Sequence, residues 1–157
     1  MDYITHYNSP FGGITLACNG EALTGLWFDG QRYWGSTLTT HHEDNKDIPV
    51  FEQTRRWLDI YFSGDEPDFT PPLSLQGTAF QQRVWEALLS IPYGETVTYS
   101  ELAHRLGCRS AQAVGGAVGR NPISIIVPCH RVVGTDGSLT GYAGGLDRKR
   151  ALLELER

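Results

Sequence analysis

The chain has 157 residues, 40% hydrophobic and 20% charged, with a formal net charge of −5 at pH 7. That length is enough for one large or two small domains with a real core, and the lack of a long apolar run argues against a membrane span. The first residues lack the basic and apolar segments of a signal peptide. Three widely spaced cysteines, Cys18, Cys108 and Cys129, argue against a disulfide framework and predict a reducing, cytoplasmic location.

The first half of the sequence predicts strands followed by one helix. Alternating apolar segments between residues 3 and 33 are separated by three Gly-containing turn signals, which predicts strands. Residues 39–49 have the composition of a polar loop, and the apolar positions of residues 49–62 fall on one helical face. The acidic, proline-rich segment 64–77 predicts a linker. These elements make an N-terminal strand–helix domain.

Helices dominate the prediction for the second half. Two capping boxes and one serine cap mark helix starts, and a last helix is expected over residues 146–156. The starts are Thr78 with Gln81, Thr98 with Glu101, and Ser110. The two short helices after Thr98 and Ser110 are separated by a Gly-containing turn, as in a helix-turn-helix.

The expected fold class is therefore α/β (α+β), with two domains. Residues 1–70 form a small mixed strand–helix N-terminal domain. Residues 71–157 form a mainly helical C-terminal domain with a helix-turn-helix and the cysteine discussed next.

Cys129 is the strongest candidate for a reactive group. It lies between Pro128 and His130, after an apolar run at 123–127 that predicts a buried strand. A thiol beside an imidazole is suited to nucleophilic attack, because the thiolate is the reactive form and a nearby base lowers its pKa. The alternative is a buried structural cysteine, which is a common fate of free thiols.

The distribution of charge leaves room for a polyanionic partner despite the negative total. Residues 104–135 contain four arginines and no acidic residue. A polyanion can dock on such a face, although clustering of solvated arginines by chance explains the same pattern. In the same region Gly115 and Gly116 lie inside a predicted helix, where each costs about 1 kcal/mol relative to alanine. Either a ligand or a neighbouring helix approaches closely there.

Several segments of the second half resemble the O6-alkylguanine-DNA alkyltransferases. The resemblance is dense over residues 80–156, about half of the chain, and its Pro-Cys-His-Arg core is specific. The first half is similar only in length and strand-rich plan. The matching segments are Tyr99, residues 113–117, 121–122, 126–133 and 141–145, and residues 149–156.

The resemblance implies a DNA-repair protein that transfers the alkyl group of O6-alkylguanine irreversibly to its own Cys129, once per molecule and without a cofactor. His130 resembles the base that accepts the Cys129 proton through a water, and Glu156 the acid that orients that base. Tyr99 resembles the tyrosine that contacts the flipped nucleotide and protonates guanine. Asn121 resembles the residue that shapes the Cys129 loop. A core tyrosine and a simple helix stop are the alternatives for these last two.

The resemblance also implies that the partner is alkylated double-stranded DNA, bound through the minor groove by a monomer with the damaged guanine flipped out. The backbone carbonyls of Cys129 and Val132 resemble those that accept from the guanine amino group, and the loop of residues 142–145 resembles the flap over the base. Lys149 lies near the pocket or is a solvated helix lysine. The positions expected to contact DNA or lesion are Tyr99, Gln112, Ala113, Gly115, Gly116, Arg120, Val132, Tyr142, Ala143 and Lys149.

Two positions depart from the family pattern. Gln112 stands where the family usually has an arginine that fills the space of the flipped base, and we expect weaker or slower flipping as a result. Ala143 replaces a frequent serine, so only a backbone N–H remains to bind the guanine oxygen.

Two other functions stay open from the sequence. An alkyltransferase-like protein binds the lesion and flags it without transfer, but such proteins lack the reactive cysteine. A cysteine hydrolase acting on a small molecule is the third reading, and turnover without DNA would favour it. The spacing of Cys18 and the N-terminal histidines does not form a recognisable zinc pattern.

Overall fold

The computed structural model describes residues 1–157, and its first sheet has four strands. Strands β1 and β2 form an antiparallel hairpin, β3 pairs antiparallel with β2, and β4 runs parallel to β1, in the order β3-β2-β1-β4. The bounds are β1 (Asp2–Ser9), β2 (Gly12–Cys18), β3 (Leu23–Phe28) and β4 (His42–Asp44). The strands predicted between residues 3 and 33 are thereby confirmed.

The prediction of a polar loop over residues 39–49 was wrong in part, because β4 lies inside it. All three residues of β4 are exposed and polar. An edge strand with no buried face shows no apolar alternation, so the sequence gives no strand signal there.

Helix α1 (Pro49–Phe62) confirms the predicted amphipathic helix, and it packs against the sheet through aromatic side chains. Phe62 stacks on Tyr7 of β1 with ring centroids 6.3 Å apart and lies edge-on to Phe11 of the hairpin turn at 5.5 Å, while Tyr61 stacks on Trp57 of the same helix at 5.2 Å. Tyr61 is fully buried. The helix therefore carries one of its tyrosines deep into the interior.

The second half contains four helices and two short strands. Both predicted capping boxes form, and Ser110 Oγ accepts a hydrogen bond from the N–H of Ala113. None of the helices has the combination of length and apolar character that crossing a membrane requires. The bounds are α2 (Ala79–Leu89), β5 (Val97–Thr98), α3 (Tyr99–Arg105), α4 (Ala111–Gly119), β6 (Val132–Val133) and α5 (Leu146–Leu155).

The free edge of β3 joins the two halves. Leu23 exchanges backbone hydrogen bonds with the linker at Pro72 and Ser74, at 2.8 and 2.9 Å. Leu26 does the same with Pro122 and Ser124 of the second half, at 2.9 and 3.0 Å. One continuous cluster of 28 buried apolar residues spans both halves. The segment just before Cys129 is therefore docked on the N-terminal sheet.

The strand predicted over Ile123–Val127 was wrong. Only Ile123 forms a bridge, to Leu26, and the rest of the segment is a compact turn. Ile125 has a φ of 70°, which is strained for a β-branched residue. The Asn121 side chain stabilises this turn, because it accepts from the N–H of Ile123 and donates to the carbonyl of Val127. An apolar run alone does not distinguish such a turn from a strand.

Candidate active site

Cys129 begins a single 3₁₀ turn, Cys129–Arg131, and its side chain is buried. Burial raises the pKa of the Cys129 thiol to about 11, since a thiolate is poorly solvated there. The Asn121 side chain, the Lys149 ammonium and the backbone N–H groups of Cys129 and His130 oppose this rise. The thiol is therefore protonated at neutral pH but is surrounded by groups that favour the thiolate.

His130 is fully buried and is oriented by Glu156. Its Nε2 lies 2.5 Å from Oε2 of Glu156, and its Nδ1 has no hydrogen-bond partner in the protein. Because the carboxylate only accepts, Nε2 carries the proton and Nδ1 presents a lone pair. Burial lowers the pKa of His130, although the Glu156 charge opposes that shift. A neutral imidazole with a free acceptor nitrogen is suited to take a proton.

Glu156 is the centre of a buried hydrogen-bond network. Tyr61 Oη donates to Oε2 at 2.6 Å, Arg131 Nε donates to Oε1 at 2.8 Å, and the N–H of Gly94 donates to Oε1 at 3.2 Å. Burial alone would raise the pKa of Glu156, but the hydrogen bonds from His130, Arg131 and Tyr61 lower it to about 2. The carboxylate is therefore ionised and fixed by groups from both halves of the chain.

Lys149 is fully buried on α5, so the reading as a solvated lysine was wrong. Its Nζ donates to the carbonyls of Val132 and Thr140, at 2.6 and 2.8 Å. Burial lowers the pKa of Lys149 to about 8, and the charge of Cys129 opposes that shift. Lys149 thus joins the backbone beside Cys129 to the loop at Thr140 and places a positive charge near the sulfur.

The flap, which we define as residues 140–145, is anchored through its carbonyl groups. Tyr99 Oη donates to the carbonyls of Thr140 and Gly141, at 3.2 and 3.4 Å, and Arg148 donates to that of Gly144 at 3.1 Å. The N–H of Arg32, from the N-terminal half, donates to the carbonyl of Ala143 at 3.0 Å. The flap is therefore held from both sides.

A cavity of about 870 Å³ opens between α4 and the flap. Six of the predicted contact residues line it, whereas Ala113, Arg120, Val132 and Lys149 do not. Ala113 and Arg120 are exposed on or next to α4, and Val132 and Lys149 are buried behind the flap. The six are Tyr99, Gln112, Gly115, Gly116, Tyr142 and Ala143.

Cys129 does not line this cavity, which reaches Tyr99 and Tyr142. Burial, and then the negative charge of the Cys129 thiolate, raise the pKa of both tyrosines. The Tyr142 hydroxyl is buried and has no hydrogen-bond partner. A base that enters the cavity must displace or pass these rings to reach the thiol.

Gly115 and Gly116 differ in their surroundings. A Cβ at Gly115 would contact the Tyr99 ring at 3.6 Å, whereas a Cβ at Gly116 would meet nothing within 4 Å. Close packing between helices thus accounts for part of the need for Gly115. It does not account for Gly116, whose exposed backbone stays open for a partner.

Sequence reasoning missed several residues of this site. Tyr61 gave only the signal of an amphipathic helix, and Arg131, although part of the Pro-Cys-His-Arg core, was given no role in the site. Arg32 and Arg148 gave no signal. Both hydrogen-bond the flap, whose sequence shows no helix or strand pattern, and Arg32 is far from it along the chain. No group of three or more His, Cys, Asp or Glu side chains is placed to hold a metal ion.

Comparison with known proteins gives a uniform result. The family model for the DNA-binding domain of 6-O-methylguanine DNA methyltransferase matches residues 79–157, and the model for its ribonuclease-like domain matches residues 3–75. A methylated-DNA–protein-cysteine methyltransferase of Mycobacterium tuberculosis is 52% identical over 97% of this chain and 92% of its own length. One of Haemophilus influenzae is 46% identical over 99% of this chain and 86% of its own.

Solved structures agree with these matches. The crystal structure of the Mycobacterium tuberculosis O6-methylguanine methyltransferase has a TM-score of 0.89 at 50% identity, over 99% of this chain and 93% of that one. A crystal structure of the enzyme from the same organism in complex with DNA has a TM-score of 0.88, over 98% of this chain and 92% of that one.

Proposed function

Since this chain belongs to the 6-O-methylguanine DNA methyltransferase family, we propose that Cys129 is the residue that takes the alkyl group. The protein is a DNA-repair methyltransferase that acts on methylated DNA and uses a cysteine of its own as the acceptor. We choose Cys129 because it directly precedes His130, a base that is hydrogen-bonded to the carboxylate of Glu156. Cys18 and Cys108 have no such pair.

The damaged guanine reaches this site by leaving the duplex. Its alkylated oxygen is hidden inside base-paired DNA, so the nucleotide must be flipped out. Helix α4 supports this step, since its exposed small residues let the DNA backbone approach closely from the minor groove. The cavity between α4 and the flap has room for a base, and Gln112 lines it, which supports a role for this side chain in filling the space left in the duplex.

The transfer is a displacement at the alkyl carbon. The Cys129 proton passes to Nδ1 of His130 through a water, the sulfur–carbon bond forms, and the carbon–oxygen bond to guanine breaks. The guanine ring takes a proton from the Tyr99 hydroxyl, whose raised pKa keeps it protonated. Solvent then removes the proton from His130 and returns one to Tyr99.

The product explains why each molecule acts once. A thioether is chemically stable, and no group in the site is placed to hydrolyse it. The protein is thus consumed as a reagent, with no cofactor. The charge of the ionised Glu156 stabilises the imidazolium that forms during the reaction, which is the role of the third member of a catalytic triad.

Protein mass spectrometry tests this proposal. The protein is incubated with duplex DNA containing one O6-methylguanine, and the expected result is a gain of one methylene group that peptide mapping places on Cys129. Cys129→Ser should bind the duplex and gain nothing. Cys108→Ser is the matched control and should be alkylated like the wild type. Modification elsewhere, or transfer by Cys129→Ser, contradicts the proposal.

The partner, oligomeric state and location follow the same reasoning. The protein acts as a monomer on alkylated double-stranded DNA, and three free cysteines favour the reducing cytoplasm. A lesion-flagging role without transfer is disfavoured, since the thiol, base and orienting acid are all assembled here. Residues 1–70 and 71–157 act together, because Tyr61 binds Glu156 across the boundary.

A further inference from the structure

Arg32 is the only charged side chain that lines the cavity between α4 and the flap. Helix α4, which faces the same cavity, carries no charged residue along its whole length. A polyanion that approaches this helix therefore meets no cation on the helix itself. The cation at the mouth of the cavity comes from the N-terminal half of the chain, just after β3.

Arg32 is held in place without being neutralised. Its guanidinium lies 5.1 Å from the centre of the Tyr33 ring, and the guanidinium of Arg120 lies 4.1 Å from the same ring. Neither arginine forms an ion pair, since the ion pairs of the structure involve His130, Arg131 and Arg150 only. Both are exposed.

Two guanidinium groups against one aromatic ring make the local electrostatic potential positive, which favours an anion nearby. Tyr33 has a φ of 62°, in the left-handed region that a non-glycine residue rarely occupies. Such strain persists where the surroundings hold the residue in place, and it is frequent at ligand-binding positions. Arg32 and Tyr33 therefore place a positive charge at the edge of the cavity, on a backbone held in an unusual conformation.

The backbone of Arg32 connects this position to the flap. Its N–H donates to the carbonyl of Ala143 at 3.0 Å, and Ala143 lines the same cavity. An anion bound by the Arg32 side chain therefore lies next to the segment that covers the base.

We infer that Arg32 binds a phosphate of the damaged strand beside the flipped nucleotide. The loop after β3 thereby supplies the positive charge that α4 lacks, and the N-terminal half takes part directly in DNA binding. This inference rests on the proposed function, since it presumes that a nucleotide enters the cavity. A guanidinium suits this role, because its planar donors match phosphate oxygens.

Salt dependence measures the contact. Each phosphate neutralised on duplex DNA contributes about 0.9 to the slope of log affinity against log salt. Loss of one contact should lower the magnitude of that slope by about 0.9 and weaken binding about eightfold at 0.1 M salt.

The experiment uses the full chain with Cys129→Ser, so that binding is not followed by transfer. Fluorescence anisotropy with a duplex containing one O6-methylguanine is measured across a salt series for Arg32→Ala, Arg32→Lys and Arg56→Ala. Arg56 is the matched control, because its guanidinium also lies over an aromatic ring, that of Phe69 at 5.2 Å, but away from the cavity.

Arg32→Ala should show the reduced slope, Arg32→Lys should keep the slope, and Arg56→Ala should match the parent. An unchanged slope in Arg32→Ala, or an equal reduction in Arg56→Ala, overturns the inference. Methyl transfer by the wild type is measured in parallel. If the wild type transfers the methyl group but the salt slope of Arg32→Ala is unchanged, only the inference about Arg32 is wrong. If the slope of Arg32→Ala is reduced but the wild type transfers nothing, the phosphate contact is supported and the proposed function is wrong.

Discussion

Tyr61→Phe removes one hydroxyl from the network around Glu156 and tests how the two halves of the chain support the site. The ring packs against Trp57, Phe62 and Tyr93 and remains in the variant. Only the hydrogen bond to Oε2 of Glu156 is lost, while His130 still donates to that oxygen. A hydrogen bond to a charged group contributes about 1.5–3 kcal/mol, so the free energy of unfolding at pH 7 should fall by that amount.

The loss of unfolding free energy in Tyr61→Phe should become smaller as the pH falls. The pKa of Glu156 is about 2 in the folded protein, below the ordinary value of 4.5. A depressed carboxyl pKa stabilises the fold above the unfolded pKa, and the stabilisation, about 3 kcal/mol here, is lost as pH falls from 5 to 2. In Tyr61→Phe the pKa moves toward its ordinary value, since the Tyr61 bond is one cause of the depression. The difference between the two proteins should therefore shrink toward about 1 kcal/mol as the pH falls from 4 to 2, because the carboxyl becomes protonated first in the variant and then in the wild type.

Urea unfolding at pH 7, 4 and 2, followed by tryptophan fluorescence, measures these values. Tyr93→Phe is the control, since its hydroxyl makes only a 3.4 Å contact to the carbonyl of Gly64. The control should lose less than about 0.5 kcal/mol. If Tyr61→Phe behaves like Tyr93→Phe, or if its loss is constant with pH, the role assigned to Tyr61 is wrong.

Three further changes test other parts of the site. Lys149→Met removes the cation that lowers the pKa of Cys129, so the pH profile of Cys129 alkylation by iodoacetamide should shift to higher pH, with a rate at pH 7 about tenfold lower; an unshifted profile contradicts this. Asn121→Ala removes two hydrogen bonds that shape the turn before Cys129, so urea unfolding should show a loss of about 2–3 kcal/mol and the methyl-transfer rate should fall; normal transfer with full stability would disprove the assignment. Gln112→Arg adds a cation at the cavity edge and should speed single-turnover repair of duplex DNA; equal rates for the two proteins would remove the idea that Gln112 slows flipping.

Local signals in the sequence predicted most of the helices. The capping boxes at Thr78 and Thr98 and the serine cap at Ser110 form as expected, because a cap depends on residues within one turn. The strand β4 and the turn at 123–127 could not be predicted in the same way. The first has no buried face, and the second depends on one asparagine side chain that hydrogen-bonds its own backbone neighbours.

The resemblance to a family predicted Cys129, His130 and Glu156, and the structure brings His130 and Glu156 into contact beside the thiol. It did not predict Tyr61, whose bond to Glu156 joins residues 95 positions apart. It also did not predict Arg32, whose place at the cavity follows from the docking of β3 against the second half. Contacts of this kind depend on how distant segments pack, which neither periodicity nor local motifs report.

The stoichiometry of transfer tests the central claim most directly. A fixed amount of the protein is incubated with a large excess of duplex DNA containing O6-methylguanine, and the repaired guanine and the alkylated Cys129 are counted over time. Repair should stop at one guanine for each protein molecule, with every Cys129 carrying one methyl group. Continued turnover beyond that equivalence, or repair that leaves Cys129 unmodified, would contradict the account.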